Sequence, residues 1–510
     1  MAFVRDPIQW LDEAAKHPER LFLKTPGGRE VSYAALRELS GRMAGALAGL
    51  GVQSGDRVAA QVEKSAEAVF LYVACLRMGA VFVPINVANT ANEVEYFLRD
   101  SRPRVAVVRP HDRALIEPMA RQAGAAVVIT MGVDADGSLC DLASRCRDFP
   151  TPASMDPASI AAIIYTSGTT GQSKGAMLTR DNLAANAAVL VDAWRFSSQD
   201  TLLHTLPLFH IHGLFVAINT VLASGASVLL LPKFDAAQVL EYLPRASVYM
   251  GVPTHYTRLL QQENLNRQST AAVRLFVSGS APLLAETHRE FLQRTGHVIL
   301  ERYGMSETMM NTSNPYEGVR LAGSVGPPLQ GIAMRVRNAE TGAVENTADV
   351  IGTLEVKGRN VFAGYWRDEA KTRGEFTADG SFKTGDVGRI DKNGYVHIVG
   401  RAKDLVISGG YNVYPKEVES ELDSVEGVLE SAVFGVPHPD FGEGVTAAVV
   451  AKSGATLSEE AMIELIKARL ARYKVPKRIL IVEELPRNAM GKVQKNALRK
   501  MFAAIYADDT

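Results

Sequence analysis

Two hydrophobic periods alternate along the chain. "YAALRELSGRMAGALAGLGV" (33–52) repeats its apolar residues at helical spacing and stops at Gly51, where a C-terminal glycine belongs. Short β-branched runs, "DRVAAQV" (56–62), "AVFVPIN" (80–86) and "RVAVVRP" (104–110), lie between such helices. Strand and helix in alternation predict α/β layers around parallel sheet. Between Gly331 and Gly400 the texture changes. "GTLEVKG" and "GYVHIVG" sit among Gly, Asp and Asn turns, which predicts a small antiparallel unit. From Asp404 a compact α+β segment follows, with helices "PKEVESELDSV" and "EEAMIELIKARLARY" and strands "ESAVFGV" and "TAAVVA". The expected organisation is a large N-terminal α/β domain over 1–401, of which 331–400 is the antiparallel part. A small mobile α+β domain over 402–510 completes it.

Composition narrows the class. The 510 residues carry a net charge of −1, so no global field draws the chain to nucleic acid or to an anionic membrane. The first twenty residues lack the apolar core of a secretory signal, and no apolar run reaches the length of a membrane span. Cys75, Cys140 and Cys146 share no metal-type or redox spacing and read as reduced thiols, so a cytoplasmic location is expected.

The first candidate chemistry is "AAIIYTSGTTGQSKGAM" (161–177), a strand-like run that opens onto small and hydroxyl residues and ends at Lys174. Such a loop can aim several N–H groups and hydroxyls at one anion, and phosphate is the commonest. A plain surface turn would need none of this. The loop is not a Walker A, because Ser173 precedes the lysine and Gly175 follows it.

Together with "PLFHIHGL" (207–214), "VSGSAPL" (277–283), "ERYGMSET" (301–308), "KTGDVG" (383–388), "GRAKDLVISGGYNVYPKEVE" (400–419) and "LPRNAMGKVQK" (485–495), this loop resembles the signature series of the adenylate-forming enzymes, in the family's order. The resemblance covers nearly the whole chain. It implies an AMP-forming acid–CoA ligase that uses ATP, Mg2+ and CoA. Thr166, Ser167, Gly168, Thr169, Thr170, Gly171 and Lys174 would cradle the outer phosphates. Glu307 would serve the magnesium, with Ser306 in a slot where threonine is usual and Thr308 beside it. Asp386 would accept from the ribose hydroxyls, and Arg401 would lie near ribose and phosphate. Gly279, Ser280, Ala281 and Pro282, with Arg302, Tyr303, Gly304 and Met305, would wall the adenine and acyl sites, Tyr303 lying flat on the base. Lys492 would be the catalytic cation. Lys403 would be the hinge about which the small domain swings, bringing Ser408, Gly409 and Gly410 to the CoA arm.

The acid is read from finer detail. "YMGVPTHYTRLLQ", "LFVSGSAPLLAETHREF" and "ERYGMSETMMNTSNPYEGVR" are similar to malonyl-CoA synthetases more than to fatty-acyl or aryl members. A dicarboxylate needs a cation at the pocket's end, because a buried free carboxylate is costly unpaired. Arg258 is the first candidate for that cation, Arg302 the second, and Ser280 can donate beside it. His210 resembles the family's gate between nucleotide and acid, and His212 follows at a spacing that lacks a third metal ligand. Ile211 between them leaves methylmalonate or another short or aromatic acid open. A nucleotide-binding sensor without turnover is the rival of another class, and the presence of Lys174, Glu307, Asp386 and Lys492 argues against it.

Overall fold

The alternating pattern builds two large sheets that share one core. The structure, a computed structural model, describes residues 6–149, 155–166, 173–338, 341–345, 347–488 and 491–506. In the first sheet, Val81–Pro84, Arg57–Gln61, Val105–Val108 and Val127–Thr130 run parallel, as the α/β pattern predicts. The sheet is extended on one side by Ile160–Thr166, Lys174–Thr179 and Gly364–Tyr365. The second sheet has eight strands and runs from Met309–Ser313 to Glu30–Ser32. Both sheets depart from the parallel expectation towards their edges, and at the far end of the second Leu21–Lys24 pairs antiparallel with Glu30–Ser32. Ile160–Thr166 pairs antiparallel with Lys174–Thr179, and Leu300–Met305 pairs antiparallel with Met309–Ser313. An antiparallel pair needs only a short connection, where a parallel pair would need a crossover.

The helix Ala66–Met78 is buried on every face, which its thirteen largely apolar residues permit. Ser65 caps its start, and Gly79 at φ +73° ends it in the left-handed conformation that glycine adopts without strain. Tyr72 on this helix packs against Phe82 of the first sheet and Phe215 of the π-helical segment His212–Ile218. The expected helix 33–52 forms as Tyr33–Gly49.

Residues 331–400 form an antiparallel sheet of Ala333–Arg337, Val344–Glu345, Gly352–Lys357, Phe382–Ile390 and Val396–Arg401. From Val406 onward the strands join a further sheet with its own core of Val406, Leu422, Val433, Val449 and Ile466. The helix read as 459–473 stops at Lys467. Met462 and Ile466 have by then seated its apolar face, and Arg469 and Arg472 are exposed. This C-terminal part touches the rest through Lys452 Nζ, 2.6 Å from Glu286 Oε1, and through the turn at Gly491, which lies against Thr254. Among the described residues no helix is long and apolar enough to cross a membrane.

Arg180 fixes the far end of the hairpin that carries Lys174. It opens the helix Arg180–Ala193, is fully buried, and donates to Asp6 from Nε at 2.7 Å and Nη2 at 2.6 Å and to Leu76 O at 2.8 Å. Asp6 also caps the helix Pro7–Ala14. Asp6→Ala removes a cap and leaves a buried guanidinium unpaired, so it should lower folding stability by about 3 kcal/mol, read as an earlier midpoint in urea unfolding. Gln9→Ala, which removes only the reciprocal capping bond, should cost under about 1 kcal/mol in the same measurement.

Candidate active site

The phosphate-loop residues stand between two paired strands. Thr166 and Lys174 face each other across the hairpin, at the ends of strands whose inner residues, Ala161 to Ile164, are buried. Ser167, Gly168, Thr169, Thr170 and Gly171 lie outside the described residues. Lys174 Nζ stands 5.6 Å over the Tyr365 ring, and the Tyr365 hydroxyl donates to Glu307 Oε1 at 3.0 Å. Tyr365 thus joins the lysine to the glutamate. Nothing in the sequence singled it out, because its role comes from the two-residue strand that sets it beside Ala176. Glu307 is buried, and burial pushes its carboxyl up. The turn holding Ser306 and Glu307 is tight: a Cβ at Gly304 would lie 1.8 Å from Met309 O. Thr308 is fully buried with its hydroxyl unpaired. Among the described residues no group of three or more His, Cys, Asp or Glu side chains could cage a metal, so Glu307 stands as a single carboxylate.

Asp386, Arg401, Tyr303 and Lys492 come together. Asp386 and Arg401 are opposite one another on neighbouring strands, with Arg401 Nε 2.7 Å from Asp386 Oδ1. The Tyr303 hydroxyl donates to Asp386 Oδ2. Lys492 follows Gly491, whose φ of +72° turns the hairpin that carries it, and its backbone N–H donates to Asn488 Oδ1 at 3.0 Å. The residue keeps solvent access, yet desolvation of its ammonium and the nearby cations of Arg401 and Lys403 push it down to about 8, against the pull of Asp386. Arg401→Met should therefore raise the midpoint of Lys492 labelling by an amine-reactive reagent towards the ordinary lysine value, and Asp386→Asn should lower it. Peptide mapping across a pH series reads both.

The acid side is built on Gly279, Ser280 and Arg302. Gly279 is buried against the guanidinium, and a Cβ there would lie 2.4 Å from Arg302 Cζ. Ser280 sits at φ +72°, and its Oγ is 3.2 Å from His212 Nδ1. Ala281 and Pro282 follow at the surface side of the turn. Arg302 is 3% exposed, and its Nε and Nη2 are buried without a hydrogen-bond partner. Burial lowers it to about 9, which leaves it protonated at pH 7. Burial and Arg302 push His210 down to about 4, and His212 is also held neutral. Of the two arginine candidates, Arg302 is buried and Arg258 is exposed. The helix Pro253–Leu260 buries Tyr256, Leu259 and Leu260, and that face turns Arg258 outward into solvent. The helical spacing of the three apolar residues was the available signal.

The turn Ser408–Gly409–Gly410 is not brought to this cluster. Ser408 is buried within the C-terminal part, Gly409 N donates to Phe441 O at 2.9 Å, and both glycines are exposed. Lys403 is exposed, in a short turn between Arg401 and Asp404.

The family model for the AMP-binding enzymes matches residues 10–366, and the model for their C-terminal domain matches 417–492. The chain belongs to the AMP-binding enzyme family. This AMP-binding enzyme is 35% identical to a malonate–CoA ligase of Arabidopsis thaliana, over 96% of its own length and 83% of the relative's. It is 34% identical to an indoleacetate–CoA ligase of Aromatoleum aromaticum, over 97% and 98%. Among solved structures, ATP-bound MatB of Rhodopseudomonas palustris superposes with a TM-score of 0.95 at 52% identity, covering 98% of this chain and 100% of that one. The apo form of the same MatB, at the same identity and covering 98% and 99%, gives 0.85. The arrangement of this AMP-binding enzyme is thus nearer to the ATP-bound form.

Proposed function

We propose that this chain is a malonyl-CoA synthetase, joining malonate to CoA through a malonyl-adenylate formed from ATP. The observation that carries the choice of acid is the buried Arg302 guanidinium with two unpaired donors. A buried cation of this kind is costly until an anion meets it, and a second carboxylate on the acid supplies that anion. The malonate–CoA ligase relative and MatB support the same choice.

Thr166, Ser167, Gly168, Thr169, Thr170, Gly171 and Lys174 hold the outer phosphates, with Lys174 balancing pyrophosphate as it leaves. Asp386 holds the ribose hydroxyls, and Tyr303 forms the wall on which the adenine lies. Lys492 places its cation where charge builds on the α-phosphate as the malonate oxygen attacks. Glu307 would hold Mg2+, an ion usually bound through one or two carboxylates together with waters and substrate phosphates, so a single carboxylate fits it. The ion supplies neutralisation of phosphate charge when bound. His210 and Ser280 flank the reacting carboxylate, and Arg302 grips the distal one. Residues 1–401 act as the body and 402–510 as the lid. Rotation about Lys403 then brings Ser408, Gly409 and Gly410 to the CoA arm.

A panel of acids assayed for CoA-thioester formation tests the reading. Malonate should lead methylmalonate, propionate and benzoate; a lead for propionate or benzoate overturns it. Arg302→Met should lower kcat/KM for malonate by about 10²-fold or more while sparing ATP binding, the loss expected when a buried charge pair loses one partner. Lys492→Ala should lower malonate-dependent pyrophosphate release by about 10²-fold or more, the usual size for one preorganised electrostatic group. Above pH 8 the wild-type rate should fall as Lys492 loses its proton, and Lys492→Arg should move that limb upward.

A further inference from the structure

A cavity of about 320 Å3 lies apart from the nucleotide groups, between the ends of strands Arg57–Gln61 and Val81–Pro84 and the segment that leads into His210. Its walls are mostly apolar, with Phe82, Leu208, Phe209 and Phe234 among them, and Lys64 stands in the lining. Lys64 Nζ donates to His204 O at 2.9 Å. No carboxylate balances it among the described residues. Glu63 is engaged by Arg109 at 2.7 Å, and the other titratable groups of the lining, Lys233 and His255, are basic. His204 spends Nε2 on Gly213 O at 2.8 Å, and His255 meets the Tyr249 hydroxyl at 3.0 Å while stacked on Phe234. Burial holds the Lys64 amine well below the usual lysine range, and Lys64 in turn pushes His204 and His255 down. An amine in an apolar wall with no carboxylate partner gives up its proton more readily than one in water, and its single donated hydrogen bond leaves the nitrogen's lone pair open once it does.

The site's second reaction needs such a group. The thiol of CoA is mostly protonated at pH 7, and only the thiolate attacks well. The Tyr303, Asp386 and Lys492 cluster occupies the nucleotide side of the acyl group, which leaves the side of His210 for the thiol. The cavity reaches that side through Pro207, Leu208 and Phe209, and its apolar walls suit an uncharged arm ending in sulfur.

We propose that this cavity receives the thiol end of CoA and that Lys64 is the base that takes its proton. This rests on the synthetase reading above. The thiol hydrogen passes to Lys64 Nζ, and the sulfur pair forms a bond to the acyl carbon. The bond from that carbon to the AMP oxygen breaks, and AMP leaves with the electron pair. Lys64 then returns its proton to solvent through the cavity mouth.

The test separates the two half-reactions on the full chain. Wild type is loaded with ATP and the acid that leads the panel, and CoA is then added under single-turnover conditions. Lys64→Met should slow thioester formation by about 10²-fold, the usual worth of a positioned base, and slow adenylate formation far less. Lys64→Arg, which puts a permanent cation there and cannot act as base, should be equally slow. In Lys64→Ala, added ethylamine should restore part of the rate. The acid limb of the second step should be lost in Lys64→Met, leaving only the rise that follows the thiol's own ionisation. Full thioester rates in Lys64→Met or Lys64→Arg overturn the proposal. So does an equal loss in both half-reactions without amine rescue, which marks a structural lysine. If wild type forms no adenylate with any acid, the synthetase reading fails and this proposal with it. If adenylate forms and Lys64 is indifferent, only this proposal fails.

Discussion

The contact between Asp386 and Arg401 holds the site together. It spans two neighbouring strands of the small antiparallel sheet, and Tyr303 reaches the same carboxylate from the edge of the large sheet. Three parts of the chain therefore share one buried acid. The pair also sets the field at Lys492, where Arg401 repels and Asp386 attracts. A lid that brings a lysine into this field meets a site whose charges are already balanced, so the added cation is available to a substrate phosphate. On the proposed assignment, ribose recognition and the catalytic charge would be coupled through a single side chain.

The acid side follows the opposite rule. Arg302, His210, His212, His204, His255 and Lys64 lie within electrostatic reach of one another in overlapping sets, each lowered first by burial. For the imidazoles and the amine, burial favours the neutral form. The guanidinium cannot, and it stays charged with two donors unpaired. A monocarboxylate that spends its only acid group on the α-phosphate leaves Arg302 as it was. A dicarboxylate completes it. On the proposed reading the selection comes from an omission in the protein, and the missing charge would be carried by the substrate.

How far the sequence could be read depended on whether a role is local. Loops between strands keep their chemistry in a few consecutive residues, so Lys174, Glu307, Asp386 and Lys492 were legible from short stretches. Alternating period gave the α/β layers and the antiparallel unit over 331–400, and it missed the antiparallel pairings at the sheet edges, since a buried strand reads the same in either direction. Tyr365 was invisible because its partners, Lys174 and Glu307, approach it from distant segments. Arg258 shows a different limit. Its position in a motif favoured it, while the helical face of Tyr256, Leu259 and Leu260 turned it outward, and face outranks motif when a group must be buried.

The strand Leu300–Met305 explains why one short segment serves both substrates. Successive side chains of a strand point to opposite faces. Arg302 accordingly lies against Gly279 on the acid side, while Tyr303 meets Asp386 on the nucleotide side. The backbone between them divides the two pockets, and its antiparallel partner Met309–Ser313 pins it in register. Gly304 then allows the chain to turn back so closely that any side chain there would strike Met309 O. That turn carries Glu307 to the phosphates. Between Arg302 and Glu307 the chain thus places the residues proposed as the acid's anchor, the nucleotide's wall and the metal's carboxylate, because a pleat alternates and a tight turn follows it. A register slip of one residue would exchange the arginine and the tyrosine between pockets, and neither substrate could then be bound.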